Sequence, residues 1–391
     1  MVIRSVQRIG ALVVALFALS LVVGGSGRSQ PAYGGEQECV SRAAAPPVAR
    51  YAEVIARART IACERLARAI PGLAIAVALN GEIVWSEAFG YADLEARVPA
   101  TPATQFRIGS VSKPITAAAL ARLVEDGKLD LDAPVQRYVP SFPDKGHPIT
   151  TRQLAGHLGG IRHYRGDEFL LNQRFGSVSE ALAIFKDDSL LHAPGTRFAY
   201  SSYGWNLVSA VVEAAAGEPF LAHIHRRVFA PLRLTSTAPD KNDSVIPGRT
   251  RFYERATGGG FRLAPVVDNS YKWAGGGFLS TAEDLVRLGS AHLAPGLLRA
   301  ETLELLFTPQ RTASRESTTY GIGWSISRDT LGHRVVAHGG GAVGGTTLLR
   351  VDRDSKLVVA VVSNLSGAQL GEAAREIVLL WDRAVAERDQ P

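Results

Sequence analysis

Strand-type sequence lies near both ends of this 391-residue chain, and helix-type sequence fills the middle. Residues 74–79 and 83–90 are apolar runs of strand length separated by Asn80-Gly81. That pair accepts the positive φ of a two-residue turn and predicts a β-hairpin. Residues 320–327, 333–337, 346–351 and 357–363 again read as strands, punctuated by Asp352, Asp354 and Ser355. Helices are predicted over 51–69, over 111–126 with Pro114 in the first turn and Gly127 at the end, and mainly over 151–230. A last helix over about 369–387 carries Ala373, Ile377, Leu380 and Trp381 at helical spacing. The expectation is one α/β (α+β) domain. Its antiparallel sheet draws on both chain ends, is flanked by N- and C-terminal helices, and accepts an inserted helical region over about 114–265.

Residues 1–28 read as a signal peptide. Arg4 and Arg8 precede the apolar run from Gly10 to Val23, and small residues follow it. The run is shorter than the ~20 residues that span a bilayer. An N-terminal membrane anchor follows only if the segment is retained. The expected location is exported, periplasmic or secreted. Residues 29–50, rich in Gly, Ser, Pro and Ala, are expected to be a linker, and 51–391 the folded domain. Export allows a disulfide between Cys39 and Cys63; two unpaired thiols are the alternative.

Composition excludes several classes. With 46% hydrophobic and 20% charged residues the chain is not disordered as a whole. The net charge of +6 comes without a Lys/Arg-rich run, so no nucleic-acid partner is expected, and a cut after Arg28 removes three arginines and no acid. Two cysteines cannot build a four-thiolate zinc site, and neither His223-x-His225 nor His157 with His163 has strong metal spacing. Neither a metal nor a cofactor is expected. Gly339-x-Gly341-x-x-Gly344 satisfies a dinucleotide fingerprint, but a strand-type run follows it where that fingerprint needs a helix. No G-x-S-x-G elbow is present.

Three short motifs carry chemistry. Ser110-Val111-Ser112-Lys113 opens a predicted helix, which places the hydroxyl and the amine on one face. An amine whose pKa is lowered by burial can take the serine proton, and a helix N-terminus offers N–H groups to a developing oxyanion. An ordinary N-cap serine beside a solvated lysine would spell the same letters, but none of the other lysines has Ser three positions earlier. Tyr200-Ser201-Ser202 supplies a phenol that can move a proton, or else a buried aromatic at a helix start. His338-Gly339-Gly340-Gly341 follows a strand-type run. It reads as a close-approach edge with a polar or cationic histidine, or as a plain glycine turn.

Taken in order, S-x-x-K, Y-S-S and H-G-G resemble the serine β-lactamase and penicillin-binding family. The likeness is to its class C, DD-carboxypeptidase and esterase branch, nearest the mitochondrial serine β-lactamase-like group and its bacterial relatives. It runs through FRIGSVSKPIT (106–116), EDGKLDLDAPVQRYVPSFP (125–143), TTRQLAGHLGGIRHY (150–164), FKDDSLLHAPGTRFAYSSYGW (185–205), VDNSYKWAGGGFLST (267–281) and HGGGAVGG (338–345). The resemblance implies a β-lactamase/transpeptidase-like fold. It makes Ser110 the acylated nucleophile, Lys113 its deprotonating partner, and Tyr200 the base of acylation and deacylation. The N–H groups of Ser110 and Gly341 would form the oxyanion hole. His338 would stand where the family's lysine binds a substrate carboxylate, with Gly339, Gly340 and Ser202 beside the substrate. Trp273 and Gly275–Gly277 would border the site. Ser202 in place of Asn and His338 in place of Lys depart from the family pattern and weaken β-lactam turnover.

The expected function is therefore an exported serine hydrolase working through a Ser110 acyl-enzyme. It would act on a peptide, ester or β-lactam-like small substrate, as a peptidase or amidase with esterase or weak β-lactamase activity. A non-catalytic penicillin-binding-like protein and a self-assembling structural protein are the alternatives. The sequence leaves the oligomeric state open.

Overall fold

A computed structural model describes residues 39–388. The expected signal peptide and the first part of the expected linker lie outside these residues. The centre is an eight-stranded antiparallel sheet. Its strands are β1 (Ser41–Ala43), β2 (Gly72–Leu79), β3 (Glu82–Asp93), β4 (Ser325–Arg328), β5 (Arg334–Ala342), β6 (Gly345–Asp352) and β7 (Leu357–Ser363), in the order β1-β3-β2-β7-β6-β5-β4, with the short Val98–Pro99 paired to β3. The junction between β2 and β7, from Leu73 opposite Ser363 to Leu79 opposite Leu357, joins the two chain ends. Asn80 and Gly81 both have positive φ, 53° and 86°, as the hairpin between β2 and β3 requires.

β2 and β7 are buried along their whole length, which is why both read as unbroken apolar runs. Alternate residues serve two cores. Leu73, Ile75, Val77, Val359 and Val361 pack with helices α1 (Ala52–Ile61) and α5 (Gly371–Arg388). Ala74, Ala76, Ala78, Val358 and Ala360 face α2 (Ser112–Glu125), α3 (Ser202–Ala216) and α4 (Ala282–Ser290). The small residues on that face let α4 approach closely: a Cβ on Gly289 would lie 2.5 Å from Val358 Cγ1.

Several expectations are corrected. The stretch 151–230 is helical over Thr151–Ala155, Val178–Ala181, α3 and 220–232, with loops between. Gly160 breaks the pattern at φ +73, where a Cβ would strike His192 O at 2.4 Å. The inserted region also holds strands: Tyr253–Arg255 pairs with Phe261–Leu263, and Ala238–Pro239 joins Phe278–Ser280 and Phe106–Arg107. Residues 320–324 form a bend leading into β4, because Gly323 takes φ +77 and Gly321 lies against Leu306 O. In the expected linker, Ser41–Ala43 pairs with β3, and Cys39 is bonded to Cys63 with 5.4 Å between their Cα atoms. The described part of that segment is thus fastened to the domain.

Candidate active site

The strand Phe106–Arg107 delivers a tight turn, Gly109–Val111, that runs into α2. Buried Arg107 anchors it through Asp240 at 2.6 Å and Val343 O at 2.8 Å. Gly109 holds φ +50 and packs on Gly341, where a Cβ would come within 2.4 Å of the Gly341 carbonyl oxygen. Ser112 Oγ donates back to Gly109 O at 2.8 Å. Ser110 therefore sits half-buried on a braced turn at the helix entrance.

Lys113, one turn along, is fully buried. Its Nζ donates to Ser110 Oγ at 3.0 Å, Ser202 Oγ at 3.1 Å and Gly275 O at 2.7 Å. No carboxylate is among these partners. Burial, and next the charge of Lys272, hold the amine well below the usual lysine range. The Tyr200 phenol lies close to the Ser110 and Ser202 hydroxyls, which oppose the upward shift of its pKa, and the Tyr200 ring centroid lies 4.9 Å from Lys113 Nζ. Burial raises the phenol's pKa well above the ordinary value, so Tyr200 is protonated at rest. Ser110, Lys113, Tyr200 and Ser202 thus converge, while the expected resting base, Tyr200, carries its proton.

The third motif lies differently. His338–Gly341 is part of strand β5 and pairs with Leu349–Thr346 of β6, so it is no turn after a strand. Gly340 takes its place for packing: a Cβ there would be 2.0 Å from Ile108 O. Gly341 has open space on that side, and Gly339 meets only Thr347 O at 4.0 Å. His338 is buried, with Nε2 2.8 Å from Tyr320 OH and Nδ1 2.6 Å from Gly339 O. Desolvation, then the Lys113 charge, lower its pKa to about 3. The ring is neutral with both nitrogens engaged. The expectation of a cationic or pH-dependent histidine contact is corrected on that ground.

Residues without a local signature complete the site. His157 accepts from Ser201 N–H and His163 from Ser202 N–H, both through Nδ1. Their rings lie 4.1 Å and 5.6 Å from that of Tyr200. The Tyr164 phenol lies near Ser202, and burial raises its pKa well above the ordinary value. Lys272 is buried among the rings of Phe169, Tyr271 and Tyr164 at 4.4, 4.9 and 5.7 Å. Desolvation, and then Arg107, bring Lys272 down to about 7. Gly275, expected only to border the site, gives Lys113 its shortest hydrogen bond.

Asp329, His333 and Asp352 are close enough together to hold a cation. Arg350 Nη2 already sits 2.9 Å from Asp329 Oδ2 and 3.5 Å from Asp352 Oδ2, which makes the group an ion-pair network.

A model of the Beta-lactamase family matches residues 56–380. The mitochondrial serine beta-lactamase-like protein LACTB of Mus musculus is 32% identical over 459 residues, covering 88% of this chain and 83% of its own. A D-aminopeptidase of Gluconobacter oxydans is 27% identical, covering 78% of this chain and 58% of its own. The octameric penicillin-binding protein homologue from Pyrococcus abyssi superposes with a TM-score of 0.71 at 27% identity, covering 84% of this chain and 77% of that one.

Proposed function

The chain belongs to the Beta-lactamase family, and from that premise we propose that it is an exported serine hydrolase that cleaves a peptide or other amide through a Ser110 acyl-enzyme. The observation that carries the reading is the 3.0 Å contact between a fully buried lysine amine and the Ser110 hydroxyl. A neutral amine has a free lone pair, and among its partners only a hydroxyl can yield a proton to it.

In this reading Lys113 takes the Ser110 proton as Oγ attacks the carbonyl carbon. The oxyanion faces the N–H groups of Ser110 and Gly341. Tyr200, protonated and close to both serines, passes a proton to the departing amine and is refilled from Lys113. Water then attacks the ester, giving its proton back through the same groups, and Ser110 Oγ leaves with a proton. The acid product and free serine result. Small esters fit the same steps. A β-lactam would acylate Ser110 and turn over slowly, since Ser202 offers a hydroxyl where the family has an amide. The neutral, doubly bonded His338 favours substrates without a free carboxylate at that end. The D-aminopeptidase relative supports an amide substrate, and the Cys39–Cys63 bridge supports an oxidising compartment.

The test is covalent labelling of the purified protein with a fluorescent fluorophosphonate and a fluorescent penicillin. An adduct that vanishes in Ser110→Ala is expected. No Ser110-dependent adduct with either probe sinks the reading. A panel of peptide amides, esters and β-lactams then ranks substrates.

A further inference from the structure

We propose that His157 is a positioning residue that aims the Tyr200 phenol at Ser110. The proposal rests on the acyl-transfer reading above, because it names what holds one of that reading's proton carriers. His157 lies 43 positions before Tyr200 in sequence and is buried beside it. Its carbonyl accepts the Ala199 N–H at 2.8 Å. Its Nδ1 accepts the Ser201 N–H at 3.1 Å. Its ring packs against that of Tyr200 with centroids 4.1 Å apart and planes 35° apart. One residue thus fixes the backbone on both sides of Tyr200 and one side of its ring. Phe198 at 5.7 Å and Tyr320 at 4.6 Å hold the histidine in turn.

A histidine present only to fill space would not need this geometry. His157 holds φ +61, in the left-handed region that only a few per cent of non-glycine residues occupy, histidine among the types found there more often. Because Nδ1 accepts a hydrogen bond, the proton of the neutral ring is on Nε2, and Nε2 is buried without a protein partner. Backbone strain and an unmatched polar atom on one side chain, next to reacting groups, point to a function that retains them. The function is geometric. Acyl transfer needs its atoms within a few tenths of an ångström, and a misplacement of about 1 Å can cost ~10²-fold in rate.

Two substitutions separate the acceptor from the bulk. Asn and Gly both accept the backbone conformation at 157. His157→Asn keeps an acceptor where Nδ1 stood, and His157→Gly removes it. The readout is the rate of fluorophosphonate labelling of Ser110 in the purified full chain, together with KM and kcat on the best amide or ester. His157→Asn is expected to stay within about tenfold of the wild-type rate. His157→Gly is expected to fall ~10²-fold in labelling and kcat with KM unchanged, since His157 touches no substrate. Should the glycine form be unstable, His157→Ala, which adds only a Cβ, serves as the second variant lacking the acceptor. A glycine or alanine form as fast as wild type, or an asparagine form no faster than they are, overturns the proposal. If the wild-type chain resists every probe, the hydrolase reading fails by itself. Crystal structures of the variants then decide this one: Tyr200 stays on Ser110 with Asn and swings away with Gly, and an unmoved Tyr200 in the Gly form rejects it.

Discussion

Lys113 Nζ sits 3.0 Å from Ser110 Oγ, and its other hydrogen-bond partners, Ser202 Oγ and Gly275 O, include no carboxylate to stabilise an ammonium. Burial, and next the charge of Lys272, push the pKa of the amine, ordinarily a strong base, well down and so favour its lone-pair form. Lys113→Ala should slow Ser110 acylation by at least ~10²-fold, the scale for losing a general base. Stopped-flow labelling measures it, and a near-normal rate would move the base role to another group.

Lys272 should tune that amine. Its charge is the second cause, after desolvation, of the low Lys113 pKa, and Lys272 itself titrates at about 7. Below that pH its positive charge disfavours a second ammonium and so holds the Lys113 pKa down. Lys272→Met removes the charge, so the Lys113 pKa rises and the acid limb of kcat/KM moves to higher pH. The loss is largest below about pH 7 and fades above it, where Lys272 is neutral already. A pH–rate profile with an unmoved limb disproves the coupling.

His338 gives a prediction of opposite character. With its pKa near 3, the ring stays uncharged from about pH 5 to 8, the range over which an unperturbed histidine switches. The ratio of kcat/KM for a substrate with a free carboxylate to that for its methylamide should be flat over this range. A ratio climbing toward pH 5 would reveal an imidazolium in the site.

The sequence revealed what depends on near neighbours. Asn80-Gly81 makes its turn, Pro114 falls in the first turn of α2, and a spacing of three brings Lys113 onto Ser110. Alternation within β2 was hidden because both faces are covered, yet the unbroken run still marked a buried strand. What was illegible comes from distant chain segments. Gly275 O, His157 and Tyr320 reach the site from three places, and no spacing between them and Ser110 is fixed by a helix or strand. In the sequence His338 falls just past a strand-type run, because three glycines read equally as an edge or as a turn. They continue the strand so that the Ser110 turn can lie directly on it.

That last point separates the glycines of the third motif. A Cβ at 340 would overlap the Ile108 carbonyl, which is backbone and cannot rotate aside. Gly340→Ala should push the Ser110 turn off β5, lowering stability by ~1–3 kcal/mol, the usual cost of overpacking, and abolishing most labelling. Gly339→Ala, whose Cβ meets nothing nearer than 4.0 Å, should keep both. Thermal melts and labelling rates on the two proteins test the contrast, and equal behaviour would show that strand and turn are not locked together.

The Cys39–Cys63 bridge should matter for stability and not for chemistry. It closes a separation of 24 residues that contains β1 and all of α1. Closing a loop of that size restricts the unfolded chain by about 3 kcal/mol. β1 is only three residues long and forms the outer strand beside β3, so without the bridge little holds it. The catalytic groups lie on the other face of the sheet, in the core that contains α2 and α3. Cys39→Ser with Cys63→Ser, or mild reduction of the wild type, should lower the urea midpoint accordingly. The Ser41–Ala43 amides should lose hydrogen-exchange protection first, and Ser110 labelling at 25 °C should not change. An unaltered midpoint would mean that the bridged segment unfolds apart from the domain. A fall in labelling as large as the fall in stability would mean that the sheet transmits strain from α1 to the turn at Ser110.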